Sequence, residues 1–537
     1  MKLKLLLCSL LLTLSAYAES PSFEEIKIMP SSYAKDFYSW RFIQKKETSK
    51  EEAKTAYLWA KRKGAKLRKA IRKKVGYIPK APQTTPPKKR DPKNFIISPS
   101  SASKKRLKSI RKIKHLYNKI KKQGRYSDVL QVIASNHPFK ELEKQSPKTQ
   151  AYIFNGVTST YRKRFLNHAF SENQIKELVK EWQFNKSIFK AVTTHSLNRV
   201  KESLLFYSGT NPLNFQSNFL LAMNAIEFKE LNYAINFLSI ARTKTLRQSQ
   251  YDQVDFWLYL LTKHQSFLKK LVDSHQVNIY TLKARDILKM NYPKVVSPIL
   301  KNREVKDFNM TNPIDWEKLK NRMKENPKEI AKLAQNYKSS QTLPIYSYLR
   351  EKASKYTVPY YPMPYLDGMQ GFEIHRKALI LALARQESRF VPASVSPSYA
   401  LGMMQIMPFL IKHLAKERKE KLDLSEMFNP YIAISYANQH LDYLNEWLYH
   451  PLFVAYAYNG GIGFTKRHVL RTKNLFKDGE FEPYLSMELI DYVESRDYGK
   501  KVLTNYIIYL NLLGEQMRLS PLFDILKYPS QTDRFRK

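Results

Sequence analysis

The 537-residue chain contains little cysteine, little glycine and few acidic residues. Its one cysteine, Cys8, lies near the start of the sequence, so the residues after it can form no disulfide and no cysteine-ligated metal site. The sequence has no HExxH pattern and no phosphate-binding glycine loop, and it therefore predicts no metal and no other cofactor. After the first residues, no run approaches the roughly 20 apolar residues that a membrane span needs.

The shortage of acidic residues makes the chain strongly basic. There are 92 Lys and Arg against 47 Asp and Glu, which gives a formal net charge of +45. This excess favours an anionic partner, whether a polymer, a membrane surface or nucleic acid. The alternative is a general compositional bias that only aids solubility.

The first 18 residues are typical of a secretory signal peptide. Lys2 and Lys4 form the charged start, Leu5–Leu14 the apolar stretch, and Ala16-Tyr17-Ala18 a small-x-small cleavage pattern. The sequence thus predicts export to the periplasm, as a soluble or cell-wall-associated protein. Export argues against nucleic acid as the partner of the basic runs, and an anionic cell-wall polymer explains the charge better.

Glycine and proline usage divides the remaining chain. Only five of the 14 glycines precede residue 368. A glycine-poor composition of this kind predicts an array of helices with polar turns. Residues 19–103 are predicted to form a basic helical segment followed by a Pro/Ser-rich linker. Residues 104–357 carry amphipathic segments with apolar residues three and four apart, which predicts an α-solenoid. Within them, Ser171 and Gln174 resemble a capping box.

A second proline-rich break, VPYYPMPY at residues 358–365, predicts the start of another domain, residues 358–537. Soon after it, Glu387 lies at the end of an apolar run, within the stretch ALILALARQESRF at residues 378–390. Burial and the negative end of a helix dipole would both raise the pKa of this carboxyl. A glutamic acid held protonated near neutral pH is a general acid, whereas the alternative is a solvated glutamate just past a core helix.

Four local patterns follow one another in this domain. They are ARQES ending at Glu387-Ser388, ALGMMQIMP at residues 400–408, AYNGG at 457–461 and ESRDYGKKV at 494–502. Together they resemble the catalytic domain of the soluble lytic murein transglycosylases, which cleave peptidoglycan. The resemblance covers roughly residues 358 to 515. It implies an all-α protein, with an N-terminal α-solenoid or superhelical region before a lysozyme-like, mainly helical catalytic domain.

The resemblance implies a chemistry with one carboxyl group. Glu387 would protonate the oxygen that leaves C1 of N-acetylmuramic acid. As a carboxylate it would then take the proton of that sugar's C6 hydroxyl, which closes a 1,6-anhydro ring. Peptidoglycan glycan strands would be the partner, and complexes with other cell-wall enzymes stay open. Two alternatives also stay open: a muramidase that uses water on the same fold, and a solenoid that binds peptidoglycan without cleaving it.

The resemblance also implies seven substrate-binding residues. They are Ser396, Gln405, Met407, Tyr458, Asn459, Glu494 and Tyr498. For several of them a purely structural role stays open: a loop serine for Ser396, core packing for the methionines, and an ion pair with Arg496 or a nearby lysine for Glu494. The chain also departs from the family pattern, with Met403 where leucine is commoner and Gly499 in place of a typical valine.

Overall fold

The computed structural model describes residues 21–79, 97–124, 126–207, 212–471 and 475–536. Within these ranges the secondary structure is helical, with isolated β-bridges in place of strands, so the predicted all-α class is confirmed. The predicted signal peptide and most of the Pro/Ser-rich linker lie outside the described residues. None of the described helices combines the length and the apolar character needed to cross a membrane.

Contacts divide the chain into two compact units. Unit 1 comprises residues 1–84, 296–356 and 360–442, and unit 2 comprises residues 85–295, 357–359 and 443–537. The domain boundaries predicted from the sequence stay predictions.

The described part of unit 1 begins with four short helices, the first three of which start at serine caps. They are α1 (Phe23–Ile28), α2 (Tyr33–Gln44), α3 (Lys50–Trp59) and α4 (Ala65–Val75). Ser22 and Ser49 form capping boxes with Glu25 and Glu52, which satisfy backbone N–H groups at the helix starts. Gly76 ends α4 with a φ of 89°, a left-handed conformation that glycine adopts without a steric cost. The first part of the segment predicted at residues 19–103 is therefore helical, as expected.

Most of unit 2 is a series of helices that pack on other helices close to them in the chain. They are α5 (Pro99–Lys108), α6 (Ile110–Lys122), α7 (Asp128–Ala134), α8 (Pro138–Glu143), α9 (Pro147–Gly156), α10 (Ser159–Phe165), α11 (Glu172–Leu178), α12 (Phe184–Val192), α13 (Asn198–Ser203), α14 (Phe215–Glu227), α15 (Leu231–Thr243), α16 (Gln248–Thr262), α17 (Gln265–Asp273) and α18 (Ile279–Ile287). Contacts run from α9 to α12, from α12 to α14, and then stepwise to α18. Such neighbour-to-neighbour packing is typical of an α-solenoid.

The remaining helices are distributed over the two units. They are α19 (Pro313–Glu325), α20 (Ile330–Gln335), α21 (Leu343–Ala353), α22 (Ile374–Ser388), α23 (Pro408–Glu417), α24 (Pro430–Asn445), α25 (Pro451–Gly460), α26 (Ile462–Phe464), α27 (Tyr484–Leu489), α28 (Val493–Leu512), α29 (Leu519–Asp524) and α30 (Pro529–Thr532). The proline-rich break at residues 358–365 stays non-helical between α21 and α22, as its sequence predicts.

The N-terminal helices of unit 1 pack on the later part of the same unit. The guanidinium of Arg41 on α2 donates to both carboxylate oxygens of Asp423, at 3.0 and 2.5 Å. The rings of Trp40 and Tyr399 lie 5.5 Å apart, and Lys66 Nζ donates to the Ser398 carbonyl at 2.9 Å. The basic N-terminal segment therefore supports the loop that follows α22.

Candidate active site

Helix α22 carries Glu387 in its last turn. From Ala378 to Arg385 the residues of this helix are buried, whereas Glu387 itself is half-buried. Arg389 caps the helix with a φ of 58°, and Phe390 follows with a φ of 64°. Two successive left-handed residues reverse the chain directly after the helix. Glu387 thus lies at the point where the buried helix ends, as its sequence predicts.

A buried ion pair holds this end of α22. Arg385 Nη2 lies 2.6 Å from Glu351 Oε1 on α21, and Arg385 Nε donates to the Tyr360 carbonyl at 3.0 Å. The Tyr360 N–H donates to the same carboxylate at 3.2 Å, and Arg389 Nε lies 3.4 Å from its other oxygen. The guanidinium of Arg385 also lies 3.8 Å from the centroid of the Tyr361 ring. Both charges are therefore paired and hydrogen-bonded, which burial requires.

The loop from residue 391 to 407 is fastened to the same helix end. Ser388 Oγ donates to the Met403 carbonyl at 2.8 Å, and Leu401 forms bridges with Val395 and Ile406. At Gly402, φ is 75° and an added Cβ would lie 2.1 Å from the Met427 carbonyl oxygen. Only glycine fits this close approach, so the backbone there is fixed relative to Glu387 by sequence as well as by hydrogen bonds.

Ser396 and Gln405 organise this loop through their side chains. Ser396 Oγ accepts from the Ala400 N–H at 2.9 Å and from the Ser398 N–H at 3.2 Å. Gln405 Nε2 donates to the carbonyls of Gly402, at 2.7 Å, and Ser394, at 3.2 Å. The Gln405 amide nitrogen is thus used within the loop, and Oε1 is the part of the amide that these carbonyls do not use.

The methionines near Glu387 have two different environments. Met403 and Met404 are buried at 1% and 0% exposure, in agreement with core packing. Met407 is half-buried and is the N-cap residue of α23, directly before Pro408. Of the three, Met407 retains accessible surface on which a ligand could rest.

In unit 2, α25 carries Tyr458 and Asn459, both half-buried, at its C-terminal end. Ser495 Oγ on α28 donates to Asn459 Oδ1 at 2.7 Å, so Asn459 joins two helices. At the other end of α25, His450 Nδ1 accepts from the Leu452 N–H at 3.1 Å. Burial lowers the pKa of His450 to about 4, which keeps the ring neutral and this nitrogen able to accept.

Helix α28 presents Glu494 and encloses Tyr498. Glu494 is exposed, and its Oε2 accepts from the Tyr492 hydroxyl at 3.1 Å. Burial and this carboxylate raise the pKa of Tyr492. Tyr498, one turn later, is only 5% exposed. The guanidinium of Arg496 donates to the Glu488 carbonyl at 3.1 Å and lies 3.9 Å from Asp497.

Close packing joins α25 to α28. A Cβ added to Gly499 would lie 2.1 Å from the ring of Tyr456, which is fully buried. This contact accounts for the glycine at a position where the family typically has valine, because the large ring occupies the space of the missing side chain.

A second polar cluster lies beneath α28. The buried carboxylate of Glu488 accepts from Lys500 Nζ at 2.8 Å, from Gln253 Nε2 at 2.9 Å and from the Tyr280 hydroxyl. It therefore ties α28 to helices α16 and α18 of unit 2.

The predicted site residues are thus found in two groups. Unit 1 holds Glu387 with Ser396, Gln405 and Met407 around one helix end and its loop. Unit 2 holds Tyr458, Asn459, Glu494 and Tyr498 on α25 and α28. Sequence reasoning did not find the supporting carboxylates Glu351 and Glu488, because their partners are distant in sequence.

Comparison with known proteins covers the segment that holds the first three sequence patterns, whereas the fourth, at residues 494–502, lies outside the matched range. A family profile, "Transglycosylase SLT domain", matches residues 370–480. The soluble lytic murein transglycosylase of Salmonella typhimurium is 26% identical over 227 residues, 40% of this chain and 34% of that protein. A putative soluble lytic murein transglycosylase of Haemophilus influenzae is 28% identical over 139 residues, 26% of this chain and 22% of that protein. The chain therefore matches about a third or less of the length of these curated relatives.

The solved structures that resemble this chain include two lytic transglycosylases. The lytic transglycosylase Slt of Pseudomonas aeruginosa, solved as an inactive mutant, has a TM-score of 0.46 at 14% identity, covering 92% of this chain and 80% of that one. The 70 kDa soluble lytic transglycosylase of Escherichia coli has a TM-score of 0.44 at 16% identity, covering 96% and 86%. Residues 370–480 thus match the SLT domain family, and the sequence relatives of the chain are soluble lytic murein transglycosylases.

Proposed function

We propose that the protein is a peptidoglycan lytic transglycosylase that cleaves the β-1,4 bond between N-acetylmuramic acid and N-acetylglucosamine. The observation that carries the proposal is the SLT domain at residues 370–480, with Glu387 at the end of α22 inside it. The Arg385–Glu351 pair and the Ser388 hydrogen bond hold that helix end in one conformation. A general acid needs such positioning, because proton transfer requires hydrogen-bond distance to the substrate.

The proposed reaction uses Glu387 twice. The protonated carboxyl donates its proton to the glycosidic oxygen as the C1–O bond breaks, and N-acetylglucosamine leaves with a hydroxyl at C4. The resulting carboxylate accepts the proton of the C6 hydroxyl as O6 bonds to C1, which forms the 1,6-anhydro ring. The carboxyl is then protonated again and no water is consumed.

The other predicted site residues are proposed as substrate contacts on the strength of the family motifs. Gln405 Oε1 and the Ser396 hydroxyl proton can bond an acetamido group while the loop retains its internal hydrogen bonds. Met407 offers an apolar surface. In unit 2, the exposed carboxylate of Glu494 is accessible, and so are the half-buried Tyr458 and Asn459. Tyr498 has little surface for a direct contact.

Export to the periplasm is proposed as well, on the sequence of residues 1–18. Removal of Lys2 and Lys4 with the signal peptide would lower the net charge from +45 to +43, which is suited to a cell-wall polymer whose stem peptides carry carboxylates. Raising the salt concentration should weaken binding to isolated sacculi, because salt screens such attraction.

The proposal is tested by mass spectrometry of sacculi digested with the purified protein. We expect products with 1,6-anhydro ends. We also expect Glu387→Gln to lower their rate of formation by at least about 10²–10⁴-fold, because the amide keeps its size but cannot donate the required proton. Glu373→Gln is the matched control, since Glu373 is exposed at the other end of α22.

Other products would decide against this chemistry. Reducing ends in place of anhydro ends would identify a water-using muramidase. Binding to sacculi without any cleavage would identify a peptidoglycan-binding solenoid. Full activity of Glu387→Gln would remove Glu387 from the mechanism.

A further inference from the structure

The helical series of unit 2 contains a groove that the proposed chemistry does not use. It has a volume of about 570 Å³ and is lined by residues of α9, α12, α14 and the segment before α12. Binding sites for small organic ligands span about 300–1,000 Å³, so the groove is large enough for a short stretch of polymer.

The floor of this groove is fixed by asparagine side chains. Asn155 Nδ2 donates to the Gln183 carbonyl at 2.9 Å, and Asn185 Nδ2 donates to the Trp182 carbonyl at 2.9 Å. Asn185 Oδ1 also accepts from the Asn214 N–H at 3.0 Å and from Ser217 Oγ at 2.7 Å. These amides are committed to holding neighbouring helices together, so the groove is preformed rather than shaped by its occupant.

The side chains that face the groove from its walls are of a different kind. Trp182 is 71% exposed although tryptophan is usually well buried. Tyr152 lines the same groove and is half-buried, and Gln183 and Lys186 also line it and are exposed. An exposed ring next to amides and one cation is an arrangement suited to a ligand with an apolar face and polar edges.

We propose that this groove binds a glycan built of N-acetylated amino sugars, at a second site separate from that of Glu387. The apolar C–H face of a pyranose ring can pack on Trp182, and its acetamido group can both donate to and accept from the amide of Gln183. Lys186 can pair with the carboxylate of a lactyl ether. The identity of the polymer rests on the proposed function, and the groove would hold a strand while another part of it is cleaved.

The test is hydrogen–deuterium exchange of the full-length Glu387→Gln protein, with peptide-free glycan strands released from sacculi by an amidase. We expect slower exchange in segments 150–157 and 180–190, in addition to any change at 385–410. In Trp182→Ala, the Kd for the glycan that protects segments 150–157 and 180–190 should rise about tenfold, or this protection should disappear. Any change at 385–410 should stay as it is in the Glu387→Gln protein. Tyr233→Ala, at an exposed aromatic residue of α15, is the matched control and should leave both unchanged.

Several outcomes would overturn the groove site. One is unchanged exchange at 150–157 and 180–190 at saturating glycan, whatever happens at 385–410. Another is protection that survives both Trp182→Ala and Gln183→Ala. A third is protection by free stem peptides but not by peptide-free glycan, which would assign the groove to peptide. Failure of the proposed function is separate, because it is read from the products of the sacculus digest.

Discussion

The end of α22 in unit 1 and the ends of α25 and α28 in unit 2 carry the predicted site residues, but these helix ends are held in different ways. Around Glu387 the support is polar, with a buried ion pair and side-chain hydrogen bonds to a loop. Between α25 and α28 the Ser495–Asn459 hydrogen bond is accompanied by a steric support, in which a glycine packs against a buried ring. A polar support depends on the charge of each partner, whereas a steric one depends on volume. Substitutions that change one property at a time should therefore separate the two regions.

The largest effect is expected from Glu351→Ala. It leaves the buried Arg385 without its carboxylate, which should cost about 3–5 kcal/mol of stability in unit 1. Hydrogen exchange should rise at 376–390 and stay unchanged at 493–505, and catalytic activity should fall with it. Glu325→Ala, at an exposed position of α19, is the control. Equal destabilisation of α28 would break the distinction between the two regions.

Gly402→Ala should have the next largest effect, since it meets two costs in the polar region. The left-handed conformation costs about 1–2 kcal/mol for alanine, and the Met427 carbonyl oxygen 2.1 Å from the new Cβ adds about 1–3 kcal/mol. Gly371→Ala has a similar φ of 77° but open space at its Cβ, so thermal unfolding should show the first cost alone. If both variants lose the same stability, the Met427 contact has no energetic role.

Gly499→Ala tests the steric region and should cost about 1–3 kcal/mol, although alanine is the better helix former. The reason is the Tyr456 ring 2.1 Å from the new Cβ. A double-mutant cycle with Tyr456→Leu is the measurement, and the pair should be coupled because the smaller side chain makes room. Additive effects would mean that the helices simply move apart.

The smallest effect is a pH dependence in unit 2. The folded state depresses the pKa of His450 from 6.5 to about 4, so its stabilising contribution is present above pH 6.5 and declines as pH falls toward 4. Between pH 7 and 5.5 the loss should be about 1 kcal/mol. His450→Asn keeps an acceptor at the start of α25 without this titration, and denaturant unfolding at both pH values should show a smaller difference. An unchanged difference would exclude His450 as its source.

Local features of the fold could be predicted from the sequence. The capping box of Ser171 and Gln174 is present, and the amphipathic segments around it form helices as predicted. A cap depends on residues three positions apart, so the sequence contains the whole interaction. Glu387 was likewise found from an apolar run and a motif. Its role in catalysis stays a prediction.

The features that could not be predicted depend on tertiary contacts. Glu351 and Arg385 lie 34 residues apart, and nothing in either segment identifies the other. Gly499 could be recognised as unusual, but its partner Tyr456 could not, because the contact arises only when α25 packs on α28. The groove beside Trp182 is of the same kind, since its walls come from helices that stack in the folded chain.

The contact between Arg41 and Asp423 has a consequence for the order of folding. It joins residues 382 positions apart, compared with 34 for Glu351 and Arg385. On the logarithmic scaling of loop closure, the longer loop costs about 2 kcal/mol more chain entropy. Folding of the intervening helices of unit 2 would shorten that loop, so we expect unit 2 to form first and the N-terminal helices to dock last. Pulse-labelled hydrogen exchange during refolding would contradict this order if α2 were protected before α14.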